Sequence, residues 1–224
     1  VFLDDLEDLR VTRVLIDGDV VAEDGRALFD LPPFQFPDWV THSMHLGREL
    51  TPASFEVPAP EGVADGTVRV RAIEIIPAKV GTFEAHVDLP VVDGRLESDL
   101  QQDVLKTFVF ERHHETGTCG CGFVKGFGIK RGAMASTVAH DAHNLLVVGT
   151  ALAANTLAAC GGGMAVVADG EVLGLVELPI AGLMDSLNAV TMSEKVHALE
   201  GAWAEIGCTM PSPFMTMALI PLAC

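Results

Sequence analysis

Apolar and polar positions alternate with period two along much of this chain, and Asp-Gly pairs interrupt the alternation. Residues 11–26, VTRVLIDGDVVAEDGR, predict a hairpin about Asp17-Gly18 with a second turn at Asp24-Gly25, because this dipeptide suits tight hairpin turns. VRVRAIEII from Val68 predicts a strand with Val68, Val70, Ala72 and Ile75-Ile76 inward and Arg69, Arg71 and Glu74 outward. The run from Val80 reads as two strands joined at Asp93-Gly94, and MAVVADGEVLGLVELP as a hairpin about Asp169-Gly170. VLKTFVFER and NLLVVG are apolar without alternation, which predicts strands buried on both faces.

The period changes in two places. ALAANTLAAC predicts a helix closed by Gly161-Gly162-Gly163. Residues 192–206 predict a second helix, with Val196, Leu199, Trp203 and Ile206 on one face, Thr191 and Glu194 at capping-box spacing and Gly207 just past the end. FMTMALIPLAC reads as a buried strand, and the proline-bearing stretch 29–62 as an extended connector and domain boundary. The fold class expected is mixed α+β: a β-rich domain with mixed or antiparallel sheets and a few flanking helices, preceded by a short β-hairpin piece.

The apolar content of 49% suffices for a sizeable core, and the net charge of −17 argues against nucleic acid or anionic membrane as a partner. No apolar run is long enough to span a bilayer, so a soluble cytoplasmic protein is expected. The chain begins at Val1 and enters at once on an acidic amphipathic stretch, which suggests the interior of a longer polypeptide.

Candidate chemistry concentrates in residues 103–149, which hold half of the histidines. Two polar knots, Glu111-Arg112-His113-His114 and His140-Asp141-Ala142-His143-Asn144, are separated by about 25 residues, roughly a hairpin and a turn, so the chain can bring them face to face. On a strand, Glu111 and His113 would share one face and Arg112 and His114 the other; His140 and His143 become neighbours only if the backbone turns between them. Imidazole and carboxylate donors make Glu111, His113, His140 and His143 candidate metal ligands. The alternative is that Asp141 and Asn144 cap a turn while the histidines bond to backbone. Cys119-Gly120-Cys121 is a poor zinc motif, lacking a second pair, and reads more simply as small residues in a tight strand. Lys125, Lys130 and Arg131 form the one basic cluster, either surface charge or the rim of an anion pocket. G-x-S-x-G, H-E-x-x-H, His-x-His and the P-loop ending are all absent, so the chain shows no complete catalytic constellation of its own.

Taken in order, LKTFVFERHHETG, GFVKGFGIKRGAMASTVAHDAHNLLVVG, GGGMAVVADGEVLGLVELPIAGLM and GC-x-x-PSPFMTMAL resemble the C-terminal domain of bacterial adenine deaminases of the amidohydrolase superfamily. The RH-x-x-TG pattern falls on Arg112, His113, Thr116 and Gly117, and AHD-x-HN on His140, Asp141, His143 and Asn144. The resemblance implies a purine-salvage hydrolase converting adenine and water to hypoxanthine and ammonia at a manganese or iron (Mn2+ or Fe2+) centre. In that family the metals sit in a catalytic barrel that precedes this region. Residues 1–45 then correspond to a remnant of the small β-sandwich with its linker, and 46–224 to the C-terminal domain. The implied partners are the catalytic barrel of the same protein and further copies in a homo-oligomer, with adenine met only through the full-length enzyme. The chain alone is expected to be inactive, acting as a lid, interface or accessory-site domain, or as a purely structural one. Arg112, His113, His140, Asp141, His143 and Asn144 are the candidates to face the active site.

Overall fold

A computed structural model describes every residue except Ala78, Ala223 and Cys224. The chain divides into two compact units, Val1–Phe36 and Pro37–Cys224. Residues 37–45, placed with the first piece on the sequence, therefore pack within the second unit. Among the described residues no helix is long and apolar enough to cross a membrane.

The first unit is a four-stranded antiparallel sheet of β1 (Phe2–Leu3), β2 (Val11–Ile16), β3 (Asp19–Glu23) and β4 (Arg26–Ala27), in that spatial order. Asp17-Gly18 and Asp24-Gly25 make the turns, with positive φ at each of the four residues, as primed hairpin turns require. None of its residues is buried, and Phe2, Leu6, Leu28 and Phe29 among others stand exposed.

The second unit opens through the stretch read as an extended connector, which holds a one-turn helix α1 (Asp38–Thr41), a 3-10 turn at Pro52–Phe55 and β5 (Val57–Pro58). There follow β6 (Gly66–Ile75), β7 (Thr82–Val92), β8 (Arg95–Leu96), β9 (Val104–Phe110), β10 (Cys119–Lys125), β11 (Ala133–Ser136) and β12 (Leu145–Val148). Helix α2 (Ala151–Cys160), the hairpin of β13 (Gly163–Ala168) and β14 (Glu171–Glu177), α3 (Ala189–Glu205) and α4 (Pro213–Leu219) complete the unit. The ten strands form one sheet, ordered β14-β13-β11-β12-β9-β10-β6-β7-β8-β5, in which the contact of β10 with β6 is parallel and the other pairings are antiparallel. This is the mixed α+β architecture expected.

Both faces of the sheet centre are covered, which explains why β9 and β12 lack alternation. On one face Leu145, Val147, Phe108 and Phe110 pack with Phe55 and with Ala153, Ala154 and Leu157 of α2. On the other, Leu146, Val148 and Leu105 pack with Leu199, Ala202 and Ile206 of α3 and with Phe214 and Met217 of α4. Helix α2 ends on Gly161, whose left-handed conformation a side chain would strain.

Two local readings are corrected. Residues 213–219 are helix rather than strand: Pro213 opens the first turn, and Phe214, Met217 and Ala218 fall at helical spacing on the buried side. A short apolar run has no period of its own to decide the matter. Helix α3 begins earlier than Thr191, because the Asn188 side chain accepts from the Thr191 N–H at 3.0 Å and is the true N-cap.

Candidate functional site

At one end of the large sheet four connections converge: the loop leaving β9, the loop from β11 to β12, the entry to β13 and the turn after β14. The segment carrying α1 joins them through Ala181 N–H donating to Val40 C=O at 2.7 Å and His45 N–H donating to Arg112 C=O at 2.8 Å. The two polar knots meet here.

Arg112 is the hub. Its side chain is 1% exposed, and the guanidinium donates from Nε to His143 C=O at 2.5 Å, from Nη1 to Ser43 C=O at 2.8 Å and Ser43 Oγ at 3.2 Å, and from Nη2 to Ala181 C=O at 2.9 Å. A planar fork of donors can hold three chain segments at once, which a lysine ammonium cannot reproduce. Burial pulls the guanidinium below its ordinary value, with Glu111 pushing the other way. Gly182 is part of the seat: a Cβ there would lie 2.9 Å from Nη1, at a backbone φ of +71°. Beside it Thr137, fully buried, donates to Gly182 C=O at 2.6 Å and accepts from Gly163 N–H at 2.8 Å.

The first knot does not continue as strand. β9 stops at Phe110 because the Glu111 carboxylate folds over the following backbone, accepting from His113 N–H at 2.5 Å, His114 N–H at 3.0 Å and Thr116 Oγ1 at 3.0 Å. Burial alone would raise this carboxyl, but these donors outweigh it and hold the pKa at about 2. The expected pairing of Glu111 with His113 on one strand face is therefore replaced by a turn.

In the second knot the backbone does turn. His143 N–H donates to Ala139 C=O at 2.6 Å, and the His140 and His143 rings lie 5.3 Å apart. His140 N–H donates to Ala218 C=O of α4, and Asp141 is exposed. His113 Nε2 reaches Ala142 C=O at 2.8 Å, joining the knots. Burial, with the neighbouring His140, Arg112 and His113, lowers the His143 pKa against the pull of Asp141, which favours the neutral ring. Asn144 Oδ1 is buried without a hydrogen-bond partner, the one such side-chain atom among the described residues.

A cavity of about 410 Å³ opens over this floor, lined among others by Trp39, His42, His45, Arg112, His113 and His143. It gathers four imidazoles from three segments. His140, Asp141, Asn144 and Glu111 do not line it. Glu111 is engaged by its own loop, and among the described residues no three His, Cys, Asp or Glu side chains gather to hold an ion. Trp39, His42 and His45 escaped the sequence reading. Their signal was two histidines three apart beside a tryptophan, inside a stretch read only for its prolines.

The basic cluster is dispersed. Lys125 pairs with Glu74 at 2.7 Å and Arg131 with Asp169 and Glu205. Arg131 also lines a larger cavity, about 730 Å³, at the opposite end of the sheet, which contains none of the predicted site residues.

The architecture and the cavity define a mixed α+β domain that carries a histidine-lined pocket, with no group of three or more potential metal ligands among the described residues. A family model described as the adenine deaminase C-terminal domain matches residues 79–224, more than half of the chain, and the chain belongs to that family. It is 57% identical over 229 residues to an adenine deaminase of Clostridium botulinum (strain ATCC 19397 / Type A), a match covering 100% of this chain and 38% of that relative. An adenine deaminase of Moorella thermoacetica is 51% identical over 226 residues, covering 99% of this chain and 38% of the relative. One of Ruegeria pomeroyi is 42% identical over 225 residues, covering 97% and 37%. The chain thus corresponds to the C-terminal portion of these enzymes and spans well under half of their length.

Proposed function

We propose that this chain is the C-terminal part of a metal-dependent hydrolase that converts adenine and water to hypoxanthine and ammonia, and that its histidine-lined cavity faces the catalytic domain of the same polypeptide. The observation that carries the enzymatic reading is identity of 57% along the whole chain to a protein named adenine deaminase. The bound metal would supply an activated water to the purine from the catalytic domain. This chain's own part is to bound the reaction space. Arg112 fixes the floor, His113 and His143 present imidazoles to the cavity, and Trp39, 74% exposed beside it, offers an apolar surface for a neighbouring domain to cover. The exposed apolar residues of Val1–Phe36 support a sandwich completed by another segment of the same protein.

A second reading makes the domain an oligomerisation element. Met184, Val190 and Met215 are large, apolar and exposed, as contact residues between copies would be. The full-length polypeptide carrying His113→Ala and His143→Ala separates the two. Ammonia release that falls at least tenfold with unchanged oligomer mass supports the cavity's role in catalysis, while unchanged kinetics with a smaller oligomer supports the structural reading. Steady ammonia release by residues 1–224 alone would overturn the placement of the reaction in another domain.

A further inference from the structure

The glycine-rich centre carries two thiols that the histidine cavity does not use. Cys119 and Cys121 are free and exposed on β10, with Gly120 between them. Residues two apart on a strand share a face. The ladder sets Cys119 opposite Phe110 and Cys121 opposite Phe108. Directly opposed residues also share a face, so both sulfurs stand on the side where those two rings are buried.

Spacing decides what the pair can hold. Two strand residues advance about 6.6–6.8 Å, the outer limit of the Cα separation in disulfides, whose common value is about 5.5–6 Å. Two thiolates each about 2.3 Å from a shared ion stand about 4.6 Å apart across it, a span that inward-leaning staggered rotamers reach from neighbouring same-face positions. An extended strand therefore suits a bridging ion better than a relaxed disulfide. The number of donors selects the ion. Thiolates favour soft metals, copper(I) and zinc foremost. Zinc asks for four ligands, and among the described residues no third His, Cys, Asp or Glu joins the pair.

We propose that Cys119 and Cys121 form a two-coordinate thiolate site for a soft monovalent metal ion, with copper(I) as the reference. Binding makes two metal–sulfur bonds, breaks two S–H bonds and releases two protons to solvent, and the ion keeps its oxidation state. The net charge of −17 draws cations to the surface. Copper must displace the two thiol protons, so affinity rises with pH.

The test titrates the 224-residue chain anaerobically with copper(I) held by a chromogenic chelator, beside a variant carrying Cys119→Ser and Cys121→Ser and another carrying Cys160→Ser and Cys208→Ala. The expected result is one equivalent retained by the wild type and by the second variant, and none by the first. X-ray absorption on the wild-type complex should show two sulfur neighbours and no nitrogen or oxygen. Copper retained equally by the Cys119→Ser, Cys121→Ser variant would overturn the site, as would a three- or four-coordinate spectrum or failure of the wild type to hold an equivalent.

Discussion

Replacing Arg112 by Met keeps an unbranched stem of similar length and deletes every donor of the fork. Three partly buried carbonyls, those of Ser43, His143 and Ala181, then lose their partner. A stranded acceptor costs about 1–2 kcal/mol, giving about 3–6 kcal/mol for three, while removal of a buried cation returns part of this, for a net loss of about 3 kcal/mol. In a domain of this size that corresponds to a melting temperature lower by about 6–12 °C. The measurement is urea unfolding at pH 7, where the midpoint should fall with an unchanged slope. Hydrogen exchange should speed up first at the N–H groups of His45, Glu115 and Ala181, which tie the α1 segment to the sheet end. Arg112→Lys should recover little of the loss, since one ammonium cannot reach three diverging acceptors. Arg112→Met unfolding within about 0.5 kcal/mol of wild type, the range of ordinary surface substitutions, would refute the idea that this side chain holds the three segments together.

Two further outcomes follow from the same contacts. The Glu111 carboxyl sits at about 2 in the folded chain against 4.5 as its ordinary value, so its contribution is complete above about pH 4.5 and is lost as pH falls toward 2. With solvent screening of a side chain 18% exposed, Glu111→Gln should cost about 1–2 kcal/mol at pH 7 and flatten the acid limb of stability; an acid limb identical to wild type in urea titrations at pH 7, 4 and 3 would count against the assignment. Asn188→Ala removes the N-cap of α3 and should lower stability by about 1 kcal/mol, with Asn188→Ser restoring most of it, read from thermal unfolding followed by circular dichroism.

Sequence by itself determined the parts of this protein that depend on near neighbours. Period-two alternation and Asp-Gly turns laid out the hairpins at 11–23 and 163–177, unbroken apolar runs marked β9 and β12 as central strands, and the ordered motifs carried the family. Tertiary structure decided what depends on distant partners. Residues 213–219 have the same apolar character as a strand, and only packing of Phe214 and Met217 against the sheet makes them a helix. Arg112 lines the cavity, and its acceptors at Ser43 and Ala181 each lie 69 positions away, so no local spacing announces that it also ties those segments together. Trp39, His42 and His45 join the cavity for the same reason: a chain passing over a strand end meets side chains that no local spacing announces. Periodicity is read within a few residues, whereas the burial of a charge and the walls of a pocket are set wherever the folded chain crosses itself.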